Sequence, residues 1–266
     1  IDGYGWIARF ADTASFAYAL GDASMAYRGA SEDPMWIGSF KKDGIEQTPA
    51  NGFGPTTLNL FRRHLVMLRP NIVVLYDELG ADRPARFDWL LHSGLEMKPT
   101  DDGISVSCPE GKARLAQLSG GPIKRAVTTG YLVPPNEALL KAGDTIDPVW
   151  HLTASTEPAK KTYILSVIVV DDPGASATLL KTTQNSGTIQ AGEWTIQAEL
   201  KGSKPARLLI TNKEGDKALA YAVPQVVVDS QSLNAAYTQS TLIYDRQGGN
   251  KAGAIELIDT LPRTTY

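Results

Sequence analysis

The longest apolar run in the sequence, YILSVIVV at 163–170, has the length of a β-strand and is far shorter than the roughly 18 apolar residues that a membrane-spanning helix needs. Other apolar-rich stretches also have strand length. They include FAYAL (16–20), LNLFRRHLVML (58–68), GISVSC (103–108), ARLAQL (113–118), ARLLITN (206–212), KALAYAV (217–223), STLIYD (240–245) and GAIELI (253–258). Glycine, proline, asparagine and aspartate separate them at close spacing, and helical periodicity is almost absent; NEALLKA (136–142) alone reads as a helical turn. Many short strands with frequent turn signals predict an all-β protein. The reading is a large antiparallel two-sheet β-sandwich of the supersandwich type with a smaller C-terminal β-sheet. The polar stretch KTTQNSGT (181–188) divides a main sandwich at 1–180 from a C-terminal region at 181–266. Beyond it the alternation is cleaner: in EWTIQAEL, Trp194, Ile196 and Ala198 share one face.

Charge and cysteine usage exclude several classes. Lys and Arg total 26 against 29 Asp and Glu, a net charge of −3, and no basic tract is present to neutralise a nucleic-acid backbone. Local arginine clusters still allow an anionic substrate. The single cysteine, Cys108, rules out an internal disulfide and a cysteine-rich zinc site. There is no G-x-S-x-G elbow, P-loop, H-E-x-x-H or dinucleotide fingerprint, and GGPIKR (120–125) and RQGGNKAG (246–253) read as turns. The start at Ile1, without methionine or signal peptide, reads as a processed or truncated piece.

Two of the three histidines lie in residues 61–94. With Pro70-Asn71 as a two-residue hairpin loop, Leu68 faces Val73, Val66 faces Leu75 and His64 faces Asp77. Pairing Leu79 with Arg86 then sets Asp77 against Asp88, and one face carries His64, Asp77, Asp88 and His92. Such a set could ligate a metal ion or form cross-strand ion pairs. It lacks a metal-ligand spacing, so the structural reading is preferred: no catalytic residue and no metal ligand is assigned in this chain. His151, in VWHLTAS, reads as a surface or cleft histidine.

The N-terminal aromatics point to carbohydrate. Tyr4, Trp6, Tyr18, Tyr27 and Trp36 fall near Arg9 and Arg28, and an aromatic beside an arginine can stack on a sugar and bind its carboxylate. The candidate substrate-binding residues are Trp6, Arg9 and Trp36.

Four segments then follow in a familiar order: IDGYG (1–5), FADTASFAYALGDASMAY (10–27), FRRHLVMLRPNIVVLYDEL (61–79) and FDWLLHS (87–93). Together they resemble the β-sandwich region of heparinase II/III-like polysaccharide lyases, well over 1–94 and weakly to about 173. Trp6 departs from the pattern, where the family often has glutamine. The resemblance implies a two-part enzyme in which an N-terminal helical toroid and a β-domain enclose the substrate. Such enzymes cleave uronate-containing acidic polysaccharides, such as glycosaminoglycans or alginate, by β-elimination. A tyrosine or histidine removes the C5 proton, a tyrosine or histidine protonates the leaving oxygen, and a polar or cationic group neutralises the carboxylate. The family's catalytic groups and the ligands of its zinc ion align upstream of Ile1, so the resemblance implies no cofactor in this chain and allows zinc in the full-length protein through upstream ligands. The expectation is therefore a C-terminal β-domain that forms one wall of the cleft, supports the toroid and is inactive alone. It would partner an acidic polysaccharide and the toroid, with no nucleic acid and no membrane span, in a periplasmic or secreted bacterial setting inferred from the substrate class. The alternative is a non-catalytic carbohydrate-binding or structural sandwich.

Overall fold

The structure is a computed structural model and describes residues 4–26, 34–48, 51, 56–130, 149–246 and 254–261. The first strands are β1 (Trp6–Asp12), β2 (Phe16–Asp22), β3 (Leu58–Leu68), β4 (Ile72–Ala85), β5 (Asp88–Ser93), β6 (Met97–Pro99), β7 (Gly103–Cys108) and β8 (Gly111–Ser119). Next come β9 (Ile123–Thr129), β10 (Trp150–Thr156), β11 (Ala159–Asp171), β12 (Leu180–Thr183), β13 (Thr188–Ala191) and β14 (Trp194–Ala198). The last are β15 (Leu208–Asn212), β16 (Lys217–Tyr221), β17 (Gln225–Val228), β18 (Gln231–Asn234), β19 (Thr241–Asp245) and β20 (Ala254–Leu257). One α-helix, α1 (Pro34–Lys42), lies between β2 and β3. All described sheet pairings are antiparallel.

The strands form an eight-stranded sheet in the order β1-β2-β3-β4-β11-β8-β7-β6 and a seven-stranded sheet in the order β12-β13-β14-β15-β16-β19-β20. A three-stranded sheet, β5-β10-β9, and a two-stranded ribbon, β17-β18, complete the set. Buried side chains fix the layering. Phe16, Leu20, Val66, Val74 and Val167 of the large sheet share a core with Ile189, Trp194, Ile196, Leu208 and Ile210 of the seven-stranded sheet. The opposite face of the large sheet packs Leu79, Ile104, Leu115 and Ile164 against Trp89, Leu152 and Ala154 of the three-stranded sheet. The ribbon covers the far side of the seven-stranded sheet through Val226 and Val228.

This layering explains YILSVIVV. Strand β11 lies between β4 and β8, with Leu165 and Val167 in one core and Ile164 in the other. A strand covered on both faces reads as continuous apolar sequence, and here 163–167 and Val169 are buried, while Val170 at the end of the run emerges. The seven-stranded sheet begins at Leu180. The C-terminal sheet forms the main partner of the N-terminal one, and the two share a single core.

Two pairing expectations are corrected. Leu68 pairs with Ile72, Val66 with Val74 and His64 with Tyr76, so Arg69, Pro70 and Asn71 form a three-residue loop. A shift of one residue sends alternate side chains to the other face. Hence Asp77 faces Arg63 and points away from His64. The third strand, β5, does not pair with β4; Asp88 pairs with Ser155 of β10 instead. The edge of β4 is taken by β11, and β5 crosses above to cover the apolar face below it. His64, Asp77, Asp88 and His92 therefore do not share a face.

Helix α1 was not expected. It begins with proline, suited to a first turn, and ends with Lys41 and Lys42 at the negative end of its dipole. With nine residues and Gly38 inside, it gives too short a periodic signal to stand out. The expected turn at 136–142 lies outside the described residues.

Across the shared core, Tyr76 donates to the Glu199 carbonyl at 2.8 Å and Tyr163 to the Lys204 carbonyl at 2.8 Å. Between these bonds Gly202 approaches so closely that a Cβ there would lie 1.9 Å from the Lys161 carbonyl oxygen. The shared core predicts one unfolding unit. Ile196→Ala should cost about 2–5 kcal/mol. In urea, circular dichroism and tryptophan fluorescence should still report one coincident transition; separate transitions would show that the two sheets unfold independently.

Candidate functional site

At one end of the large sheet a hollow of about 350 Å³ is lined by Gly5, Trp6, Ile7, Gly21, Asp22, Ala23, Phe61 and Arg63. The backbone sets this lining: Trp6 lies opposite Asp22, Ile7 opposite Gly21, and Gly21 opposite Arg63. A glycine at the middle of that row leaves room above the sheet. Trp6 donates its Nε1–H to the Thr260 carbonyl at 3.2 Å, and its ring lies 5.9 Å from that of Tyr4. Arg63 is clamped by two parallel bonds to Asp77, Nε–Oδ1 at 2.6 Å and Nη2–Oδ2 at 3.0 Å. Its guanidinium lies over the Phe61 ring and stays 41% exposed, while Asp77 is buried beneath it. An aromatic edge, an apolar floor and an oriented cation thus meet in one place, a combination suited to an anionic sugar.

The sequence-predicted residues are not brought together. Trp6 lines the hollow. Arg9 is 5% exposed and turned into the sandwich, where Nε pairs with Asp259 at 2.7 Å and Nη1 donates to Thr241 at 2.8 Å. A register irregularity between Ile7 and Arg9 accompanies this turn inward. Trp36 lies on α1, and its side chain is outside the described residues, as are Tyr27 and Arg28. Arg63 is not among the sequence-predicted residues, because its place opposite Asp77 follows only from the observed register of β3 and β4.

Behind the hollow runs a buried polar chain between the two large sheets. Arg9 Nη1 donates to Thr241, Thr241 lies 3.0 Å from Tyr18 Oη, Tyr18 lies 3.0 Å from His64 Nδ1, and His64 Nε2 lies 3.0 Å from Glu78. Tyr221 also donates to Glu78, at 2.9 Å. Beside this chain Asp259 joins Arg9 to Arg62, whose Nη2 is 2.7 Å from it. One proton assignment satisfies every link. Thr241 donates to Tyr18, Tyr18 donates to Nδ1 of a neutral His64, and Nε2–H donates to the Glu78 carboxylate. Burial pushes the His64 pKa down, outweighing the opposing pull of Glu78. Burial pushes Glu78 up, but the bonds from His64 and Tyr221 and the charge of Arg62 prevail and hold it below the usual carboxylate range. Burial raises Tyr18 to about 12, so it remains a phenol. With His64 itself wholly buried, the chain serves as an internal brace.

A larger groove, about 470 Å³, is lined in part by Asp101, Asp102, Gln117, Arg125, Thr182 and Gln184. Its polar groups are largely committed to the protein: Gln117 to Ser166, Arg125 to the Gln117 carbonyl and Gln184 to the Ser119 carbonyl. Among the described residues its lining has no aromatic platform. No group of three or more histidine, cysteine, aspartate or glutamate side chains among the described residues is arranged to hold a metal ion. Nor is any helix among them long and apolar enough to cross a membrane.

The class defined by these features is an all-β, multilayered sandwich with an end hollow that joins tryptophan and arginine. No protein-family model matches the sequence, and no curated protein matches it. Among solved structures, a heparinase III aligns at 9% identity with a TM-score of 0.47, over 78% of this chain and 27% of its own. A second heparinase III aligns at 9% identity and a TM-score of 0.49, over 82% and 27%. A mutant of the heparan sulfate lyase HepC from Pedobacter heparinus aligns at 9% identity and a TM-score of 0.42, over 83% and 28%. The chain thus spans little more than a quarter of each of these proteins.

The buried chain predicts acid lability. Both His64 and Glu78 bind protons less readily folded than unfolded, so folding stability falls as pH falls. The His64 contribution declines below about pH 6.5, where the unfolded imidazole protonates, and the Glu78 contribution is lost below about pH 4.5, through its lowered folded value. A single such group contributes a slope of up to about 1.4 kcal/mol per pH unit. Urea midpoints between pH 7 and 5 should fall less steeply for His64→Gln than for the unaltered chain, although the variant is less stable at pH 7.

Proposed function

We propose that this chain is the β-domain of a polysaccharide lyase that cleaves uronate-containing polysaccharides by β-elimination, with the end hollow contributing one wall of the substrate cleft. The observation that carries this reading is the convergence of three sequence segments. Gly5 from IDGYG, Gly21, Asp22 and Ala23 from the GDASMAY strand, and Phe61 and Arg63 from FRRHL line the same hollow. These are segments on which the resemblance to heparinase II/III-like lyases rests, and the fold sets them side by side at a surface.

In this reading Trp6 offers its ring to a sugar face and Arg63 pairs with the uronate carboxylate. Neutralising that carboxylate lowers the cost of the carbanion that forms when the C5 proton leaves. Among the described residues that line the hollow there is no histidine or tyrosine. In this reading the acid and base come from the helical toroid and from the start of the β-domain, as the resemblance implies, in a periplasmic or secreted enzyme. The pairing of an aromatic edge with an oriented arginine, Trp6 with Arg63, equally suits a second reading, a carbohydrate-binding sandwich without catalysis.

The test has two arms. Ultraviolet detection of unsaturated uronate would be run with the full-length protein on heparan sulfate, chondroitin sulfate, hyaluronan and alginate. Calorimetry would measure binding of the same glycans to this chain. Trp6→Ala and Arg63→Lys should each weaken binding about tenfold, near 1.4 kcal/mol, and the lysine keeps a counter-charge over Asp77. Binding without product formation in the full-length protein selects the second reading. Unchanged binding in both variants removes the hollow from either one.

A further inference from the structure

The outer face of the three-stranded sheet carries a feature that the hollow does not use. On β5 the buried Trp89 alternates with exposed Asp88, Leu90 and His92. On β10 the buried Leu152 and Ala154 alternate with His151, Thr153 and Ser155. The register places His151 directly opposite His92, with Thr128 of β9 on its other side. The two imidazole centroids are 4.7 Å apart and the rings meet edge to face. Opposed residues on antiparallel strands have Cβ atoms about 4.5–5.5 Å apart, so both rings spring from adjacent points on one surface.

We propose that His92 and His151 form a surface chelate for a divalent first-row transition-metal ion such as zinc, nickel or copper. Metal–nitrogen bonds of about 2.0–2.1 Å place two nitrogens on one ion within roughly 3.5 Å of each other. Rings already in contact reach that spacing by side-chain rotation, without backbone movement. His151 is also prepared electronically. Its Nε2 donates to the Gly130 carbonyl, which fixes the tautomer and leaves the Nδ1 lone pair for a ligand. Metal-bound histidines are oriented by the same kind of outer bond. His92 is exposed, and among the described residues no protein hydrogen bond holds it, so its ring is free to complete the pair.

The surroundings define the class of ion. The cross-strand row reads His92, His151, Thr128, with no cationic side chain in it. The carboxylate on this face, Asp88, is four residues along β5 and bonds Arg86 and Ser155. Two imidazoles, with no carboxylate beside them among the described residues, favour zinc, copper or nickel over magnesium or calcium, which require oxygen donors. The protein supplies two ligands and leaves the other positions to water or an incoming oxygen donor.

Calorimetric titration of the chain with nickel, zinc or copper salts should show one ion per chain, while magnesium should give no binding. His92→Gln and His151→Gln should each weaken binding at least about tenfold, since either leaves a single imidazole. The ion should raise the melting temperature of the unaltered chain and of neither variant. If His151→Gln fails to fold, the exposed His92→Gln decides alone. Binding undiminished in His92→Gln, loss in one folded variant without the other, or no binding up to about 1 mM ion overturns the chelate.

Discussion

Arg9, Thr241, Tyr18, His64 and Glu78 form one hydrogen-bonded series across the interface of the two large sheets, with Tyr221 closing on Glu78. Its members come from β1, β2, β3 and β4 on one side and from β16 and β19 on the other. Buried polar groups of this kind are costly unless every member is paired, and removing one leaves others unpaired in a dry interior. The series therefore stabilises one relative placement of the two sheets. Apolar packing alone holds sheets together but discriminates poorly among nearby alignments; an ordered donor-acceptor series does not tolerate a slip.

The same strand supports both the brace and the surface hollow. Along β3, Arg62 and His64 point into the sandwich, whereas Phe61 and Arg63 line the hollow. Asp77 and Glu78 divide in the same way on β4, one holding Arg63 and the other receiving His64. Alternation thus separates two electrostatic environments by the thickness of one sheet. The three-residue loop at 69–71 sets that separation, since a register shifted by one would place His64 opposite Asp77.

Much of the fold was legible in short runs and turn residues: the all-β class, the strand at 163–170, and the alternation of Trp194, Ile196 and Ala198, all three buried in the shared core. Trp6 could be singled out from its type and its arginine neighbourhood. Arg63 could not, because its value depends on a register that a proline-containing loop left ambiguous. Arg9 shows the converse: its residue type suggested a ligand contact, while the irregularity after Ile7 turned it toward Asp259 and Thr241. Helix α1 was too short for its periodicity to register.

By itself the sequence determined the local facts: which stretches are strands, where chains can turn, and which residue types are available for chemistry. These follow from propensity and a two-residue period, both of which act over a few neighbours. Tertiary structure alone decided that β5 leaves β4 for β10, that the sheet beginning at Leu180 shares its core with the first, and that His92 meets His151. Those outcomes depend on which apolar face covers which, a competition among segments far apart in the chain that no local pattern encodes.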